Sequence, residues 1–203
     1  MNLQPVTLTG RVVRLEPLSE AHVADLAAVG LDDRIWQYMP YGEIRTEAQM
    51  RAWVQDILQR QARGTDLVFA VVHRSTGRAI GCTRYLDIRP EHRGLEIGGT
   101  WYGLAYQGTA VNPECKYLLM QHAFETLGAI RVQFKTDLRN EHSQRALERL
   151  GLVKEGVLRD HLITPSGYIR SSVYYSVLAA EWSAMKARLE ARLQALYTAA
   201  NQP

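Results

Sequence analysis

Several things are scarce in this chain of 203 residues, and each absence removes a class of function. Only two cysteines occur, Cys82 and Cys115, and neither sits in a CxxC or CxxH neighbourhood, so a zinc site is not expected and no metal is implied. No stretch approaches the ~18 consecutive apolar residues of a membrane helix. The first ten residues carry no basic run before an apolar core, so no secretory signal is read there. The expectation is a soluble, cytoplasmic chain with two reduced thiols and no membrane partner. Lys+Arg at 24 against Asp+Glu at 21 gives a net charge of +3, spread along the chain without a basic block, so a nucleic-acid arm is not expected. Neither GxGxxG nor GxxxxGK[ST] is present, which leaves Rossmann-type and P-loop nucleotide binding unsupported. No internal repeat or low-complexity segment is visible.

What is present is ordinary globular material, 46% hydrophobic and 22% charged, in a length that suits one domain with an appendage. Val12, Val13 and Leu15 form a short β-prone run. Ser19 is a natural cap for a helix carrying His22 to Val29 and closed by Gly30, and Thr46 caps a second with Met50, Trp53, Val54 and Leu58 at helical spacing. Between them lies an aromatic loop, Asp32 to Glu43. Leu67–His73 and Ala79–Ile88 read as a hairpin around Ser75-Thr76-Gly77, and Leu95–Tyr102 as a third strand. Pro113–Leu127 reads as a helix stopped by Gly128, Ile130–Thr136 as a strand, and Asn140–Leu150 as a helix stopped by Gly151. Leu152–Ile163 and Tyr168–Leu178 flank a turn at Pro165-Ser166-Gly167. From Ala179 onward Trp182, Met185, Leu189, Leu193 and Leu196 step along one helical face. This order of elements predicts an α+β fold with a mixed sheet covered by helices, not a doubly wound parallel sheet. Residues 1–178 make the domain and 179–203 a helical extension, packed on that domain or shared in a homodimer contact.

The stretch Trp101 to Glu114 ends a strand, passes two glycines and starts a helix. A helix start leaves backbone N–H groups unpaired and carries a partial positive charge, which suits a diphosphate. Gly108 and Ala110 are small enough for close approach, and Pro113 is tolerated in a first turn. An ordinary glycine-bearing turn would look the same.

Within this stretch, Ala105-Tyr106-Gln107-Gly108-Thr109-Ala110 resembles the [QR]xxGx[GA] motif of the GNAT superfamily of acyl-CoA N-acyltransferases, with Ala105 departing from the first position. Asn140-Glu141-His142-Ser143, Leu147 and Gly151-Leu152 resemble that family's Asn-led helix. The tyrosine that many members place seven residues after the Asn is replaced by Leu147, and Ser143 stands three residues after it. Both features are similar to the ribosomal-protein N-terminal acetyltransferase subgroup, as are the segments GRVVRLEPL, EIGGTWY and GVLRDHLITPSGYIRSSVYYSV. The resemblance spans roughly residues 10–182. It implies a mostly antiparallel sheet of about seven strands, splayed between the fourth and fifth, with acetyl-CoA in the gap. It also implies transfer of acetyl from acetyl-CoA to a primary amine (a protein N-terminus, an amino acid or a small amine) by direct attack in a ternary complex.

The same resemblance assigns Trp101, Tyr102, Gln107, Gly108, Thr109, Ala110, Val111, Asn112, Asn140 and Ser143 to the coenzyme. It assigns Trp36, Tyr38, Tyr41 and His161 to the acceptor. Glu96, on the strand before the loop, is the first candidate for general base, with His161 or a water as rivals. Ser143 is the candidate partner of the departing thiolate. Backbone N–H groups near Gly98 to Thr100 are candidates for the oxyanion site. A non-catalytic acyl-CoA-binding module or a protein-interaction domain on the same fold is the alternative. The amine itself is not named by any residue pattern.

Overall fold

Residues 1–199 are described by a computed structural model in which eight strands join one sheet. The strands are β1 (Leu8–Thr9), β2 (Val13–Pro17), β3 (Leu67–His73), β4 (Arg78–Arg89), β5 (Gly94–Tyr102), β6 (Arg131–Asp137), β7 (Val153–Ile163) and β8 (Ile169–Leu178). Their order is β1-β2-β3-β4-β5-β6-β8-β7. The helices are α1 (Val23–Gly30), α2 (Asp33–Trp36), α3 (Glu47–Ala62), α4 (Val111–Gln121), α5 (Glu141–Leu150) and α6 (Ala179–Ala199). The eighth strand, against about seven expected, is the two-residue β1, which pairs with β2 ahead of the run read from sequence. The expected splay therefore falls between β5 and β6.

Local chemistry explains most boundaries. Thr46 Oγ1 accepts the Gln49 N–H at 3.2 Å and starts α3. Its buried stripe is Met50, Trp53, Val54 and Ile57, an i, i+3, i+4, i+7 set that leaves Leu58 only half buried, a one-residue correction to the face read from sequence. Asn140 Oδ1 accepts the Ser143 N–H at 3.0 Å to start α5, and Gly151 at φ +88° ends it. The helix expected over Pro113–Leu127 is interrupted: α4 stops at Gln121 and a π turn, His122–Thr126, follows. Tyr85 on β4 donates its hydroxyl to Leu119 O at 2.6 Å where the helix widens, a side-chain intrusion of the kind that produces such turns.

Two apolar layers cover the sheet. On one face α1 and α3 pack with Trp36, Val68, Ala70, Cys82 and Trp101. On the other, α4, α5 and α6 pack with Phe69, Tyr85, Ile97, Val132, Phe134 and Tyr175. α6 buries Trp182, Met185, Leu189 and Leu193, and Trp182 stacks on Phe124 with ring centroids 5.3 Å apart, so its stripe lies against its own domain. Every strand pair is antiparallel except β5–β6, which runs parallel and pairs only Gly94, Leu95 and Glu96 with Arg131, Val132 and Gln133. Beyond those three residues the strands diverge. Among the described residues no helix is long and apolar enough to cross a membrane.

Candidate active site

The start of α4 opens onto the diverging strands. Gly108 sits at φ +75°, and a Cβ there would meet nothing within 4 Å, so the conformation needs glycine while the space before it stays open. Thr109 Oγ1 accepts the Val111 N–H at 3.2 Å and donates to Tyr106 O at 2.7 Å. Gln107 donates to Tyr102 O at 3.3 Å, and the Tyr102 hydroxyl to Asn112 Oδ1 at 3.2 Å. The backbone N–H groups of Gly108, Thr109, Ala110 and Asn112 have no acceptor among the described residues. A cluster of unpaired donors at a helix start fits an anionic group and nothing cationic.

On β5 the register breaks beside this opening. Cys82 pairs with Trp101 and Arg84 with Gly98, so Gly99 and Thr100 together oppose Thr83 alone, and Gly99 takes φ +57°. This bulge re-aims the strand at the edge that faces the gap. Glu96, the last paired residue of β5, is 1% exposed and ion-paired with Lys135 Nζ at 3.1 Å, with Gln133 Nε2 at 3.3 Å. His161 on β7 lies within 3.0 Å of Ser172 Oγ and 3.4 Å of the Tyr174 hydroxyl. Its pKa is lowered, first by burial and then by the cations Lys135 and Arg170, so the imidazole stays neutral below its ordinary titration range.

A cleft of about 350 Å³ lies between the α2 loop, the end of β6 and the β7–β8 turn. Tyr38, Met39, Asp137, Arg139 and Tyr168 line it over Trp36. Asp137 is buried and holds the Arg139 guanidinium at 3.2 Å, which lies 3.4 Å over the Tyr168 ring. Arg170 Nη1 reaches Tyr38 O at 3.2 Å and pins the loop.

The residues singled out from sequence thus separate into groups. Gln107 to Asn112, Asn140 and Ser143 gather at the two helix starts that flank the gap. Asn140 spends its Oδ1 on capping α5, which leaves only its amide N–H₂ for another partner. Trp101 faces away from α4, among Trp36 (5.0 Å) and Trp53 (5.8 Å), and so packs in the core instead of at the helix start. Trp36 donates to Gly30 O at 2.7 Å beneath the cleft, Tyr38 lines it, and Tyr41 turns inward to the Arg84 guanidinium. Both cysteines are free and buried, with thiols pushed up to about 12, which makes them inert. Sequence reading missed the polar face of β6. Gln133, Lys135 and Asp137 alternate with Val132, Phe134 and Thr136, and that period of two was the available signal. It also missed Lys116 on α4 and the buried Arg84–Asp66 pair, for which no local pattern exists.

Residues 13–153 match the family described as "Acetyltransferase (GNAT) domain". The chain is 35% identical over 110 residues to "Putative ribosomal N-acetyltransferase YdaF" of Bacillus subtilis (strain 168), a match that covers 54% of this chain and 59% of that protein. A solved acetyltransferase-titled structure from T. thermophilus superposes with a TM-score of 0.87 at 42% identity, covering 95% of this chain and all of that one. A GCN5-related N-acetyltransferase structure from Brucella melitensis superposes with a TM-score of 0.87 at 29% identity, covering 94% and 86%.

Proposed function

The chain belongs to the GNAT acetyltransferase family, and on that premise we propose that it transfers acetyl from acetyl-CoA to a primary amine by direct attack in a ternary complex. The observation that carries this reading is the row of unpaired N–H groups at Gly108, Thr109, Ala110 and Asn112 beside the gap between β5 and β6. These donors suit a diphosphate, and Gly108 leaves room for it. Acetyl-CoA supplies the acetyl group as an activated thioester.

The chain's own residues do the rest. Val111 continues the cradle into α4, and the Asn140 amide N–H₂ is placed to donate to a carbonyl of the coenzyme arm. Ser143 sits one helical turn on, facing the same gap. The β5 bulge at Gly98 to Thr100 presents backbone N–H groups where negative charge develops. The acceptor enters through the cleft walled by Tyr38 and Tyr168, with Asp137 as its buried carboxylate. An α-amine, with pKa ~7.7–8.0, is partly neutral near pH 7 and needs only a modest base. His161, neutral and half buried, takes that proton directly. Glu96 serves through water, since Lys135 and Gln133 already occupy its carboxylate. A protein N-terminus or a small amine fits this requirement better than a lysine amine, whose pKa is ~10.4.

Calorimetric titration with acetyl-CoA tests the reading. The wild-type chain is expected to bind in the micromolar range or tighter, about −8 kcal/mol. Gly108→Glu is expected to lose at least tenfold, about 1.4 kcal/mol, because it sets a carboxylate among the donors. A folded wild-type sample that does not bind would remove the proposal. An amine screen with bound acetyl-CoA then identifies the acceptor.

A further inference from the structure

Lys116 is the one lysine of α4, and its side chain runs inward instead of outward; the residue is 5% exposed. Its ammonium donates to Thr100 Oγ1 at 2.7 Å and lies 5.6 Å from the centre of the Phe134 ring. Thr100 belongs to the unpaired end of β5 and Phe134 to the unpaired end of β6. The charge therefore spans the two strands just past their last paired residues, Glu96 and Gln133. No carboxylate lies within 4.0 Å of it among the described residues, and one of its three N–H donors is used. A buried ammonium without a counter-ion is costly unless something of opposite charge occupies the space before it.

We propose that Lys116 is a catalytic residue that faces the thioester sulfur and protonates the departing thiolate, an inference that rests on the acetyl-CoA reading above. As the acceptor nitrogen bonds the carbonyl carbon, the C–S bond breaks and its electron pair stays on sulfur. Lys116 Nζ gives one proton to that sulfur. The proton shed by the acceptor nitrogen passes to the base and returns through solvent to the neutral lysine, so charge and protons balance. This explains how the site manages with Leu147, a core residue, where a hydroxyl could have come from α5. Burial lowers the lysine's pKa to about 8, close to that of a thiol, ~8.5, which suits exchange in both directions. The titratable groups that bear on it are Glu96 from β5 and Cys115 from its own helix, and Cys115 stays neutral. β4 and β6 bring only Thr83, bonded to Thr100 at 2.8 Å, and Phe134.

The test compares CoA with its thioether analogue S-ethyl-CoA on the full chain, wild type against Lys116→Met, Lys116→Gln and Lys116→Arg. Calorimetry gives the affinities, and the ultraviolet absorbance of the thiolate gives the ionisation of bound CoA, from pH ~6 to ~9 around the free thiol value of ~8.5. On the wild type the bound thiol is expected to ionise about one pH unit lower than on the Met or Gln variant, a tenfold effect. Arginine is expected to keep the shift, because it keeps the charge. S-ethyl-CoA affinity is expected to stay within about twofold throughout, and turnover of the Met variant to fall about 10²-fold. If the Met variant does not fold, the Gln variant carries the comparison. Equal thiol ionisation in wild type and variants, with CoA still bound, overturns the role of Lys116 alone. A wild type that binds neither ligand overturns the coenzyme reading as well.

Discussion

Replacing Glu114 tests how the first strand is held. Its carboxylate, 2% exposed in the first turn of α4, accepts three successive backbone N–H groups: Arg11 at 2.7 Å, Val12 at 2.8 Å and Val13 at 2.7 Å. It also accepts the Tyr197 hydroxyl from α6. One side chain thus ties β2, α4 and the last helix together. Gly10 is part of the arrangement, because a Cβ there would sit 2.5 Å from the Glu114 carboxyl carbon. Hydrogen bonds to a charged group contribute ~1.5–3 kcal/mol each, but only the Val13 donor is fully buried, and water can replace the others in part. Glu114→Ala is therefore expected to cost about 3–5 kcal/mol, and Glu114→Gln about 1–3 kcal/mol, because one of its two donor pairs would face an amide N–H₂. For a chain of this size, about 2–4 °C of Tm per kcal/mol puts the Ala variant some 6–20 °C below wild type. Urea unfolding followed by circular dichroism measures both. An Ala variant within about 0.5 kcal/mol of wild type would show that these bonds contribute nothing net.

Two further outcomes follow from the buried charges. Asp66 and Arg84 form an ion pair at 3.0 Å with side chains 8% and 5% exposed. Asp66→Ala should cost about 3–5 kcal/mol by stranding the guanidinium, and Asp66→Ala with Arg84→Met should recover much of it in the same unfolding assay. His161 has a lowered pKa, so the acid limb of kcat/KM should fall below the ordinary imidazole value of ~6.5, and Gln at that position should abolish the limb. The sign also holds for stability: the unfolded chain protonates this imidazole first, so its contribution is present above pH ~6.5 and declines as pH falls below that.

Much of the site was legible because its signals are local. Gly108 before a helix, Asn140 as a cap and Gly151 as a stop each act through backbone groups a few residues away, and so each leaves a readable pattern. The acceptor cleft was legible only in part. Tyr38 lines it, yet Tyr41, three residues on, is drawn into the core by Arg84, a partner 43 positions away. The Trp101 side chain points where the β5 bulge sends it, and the bulge depends on pairing with β4.

The sequence by itself determined the order of elements, the helix caps and turns, and the family motifs, since these rest on periodicity and on contacts within one or two turns of chain. Tertiary structure alone decided which polar side chains meet. The Glu96–Lys135 pair joins residues 39 apart, and the Glu114 anchor joins residues more than 100 apart. Lys116 reads in sequence as one more helix-surface charge. Only the divergence of β5 from β6, three paired residues long, turns its position into a charge facing an opening. Burial and electrostatic environment belong to the packed chain, because they depend on what distant strands place around a group and not on its neighbours in sequence.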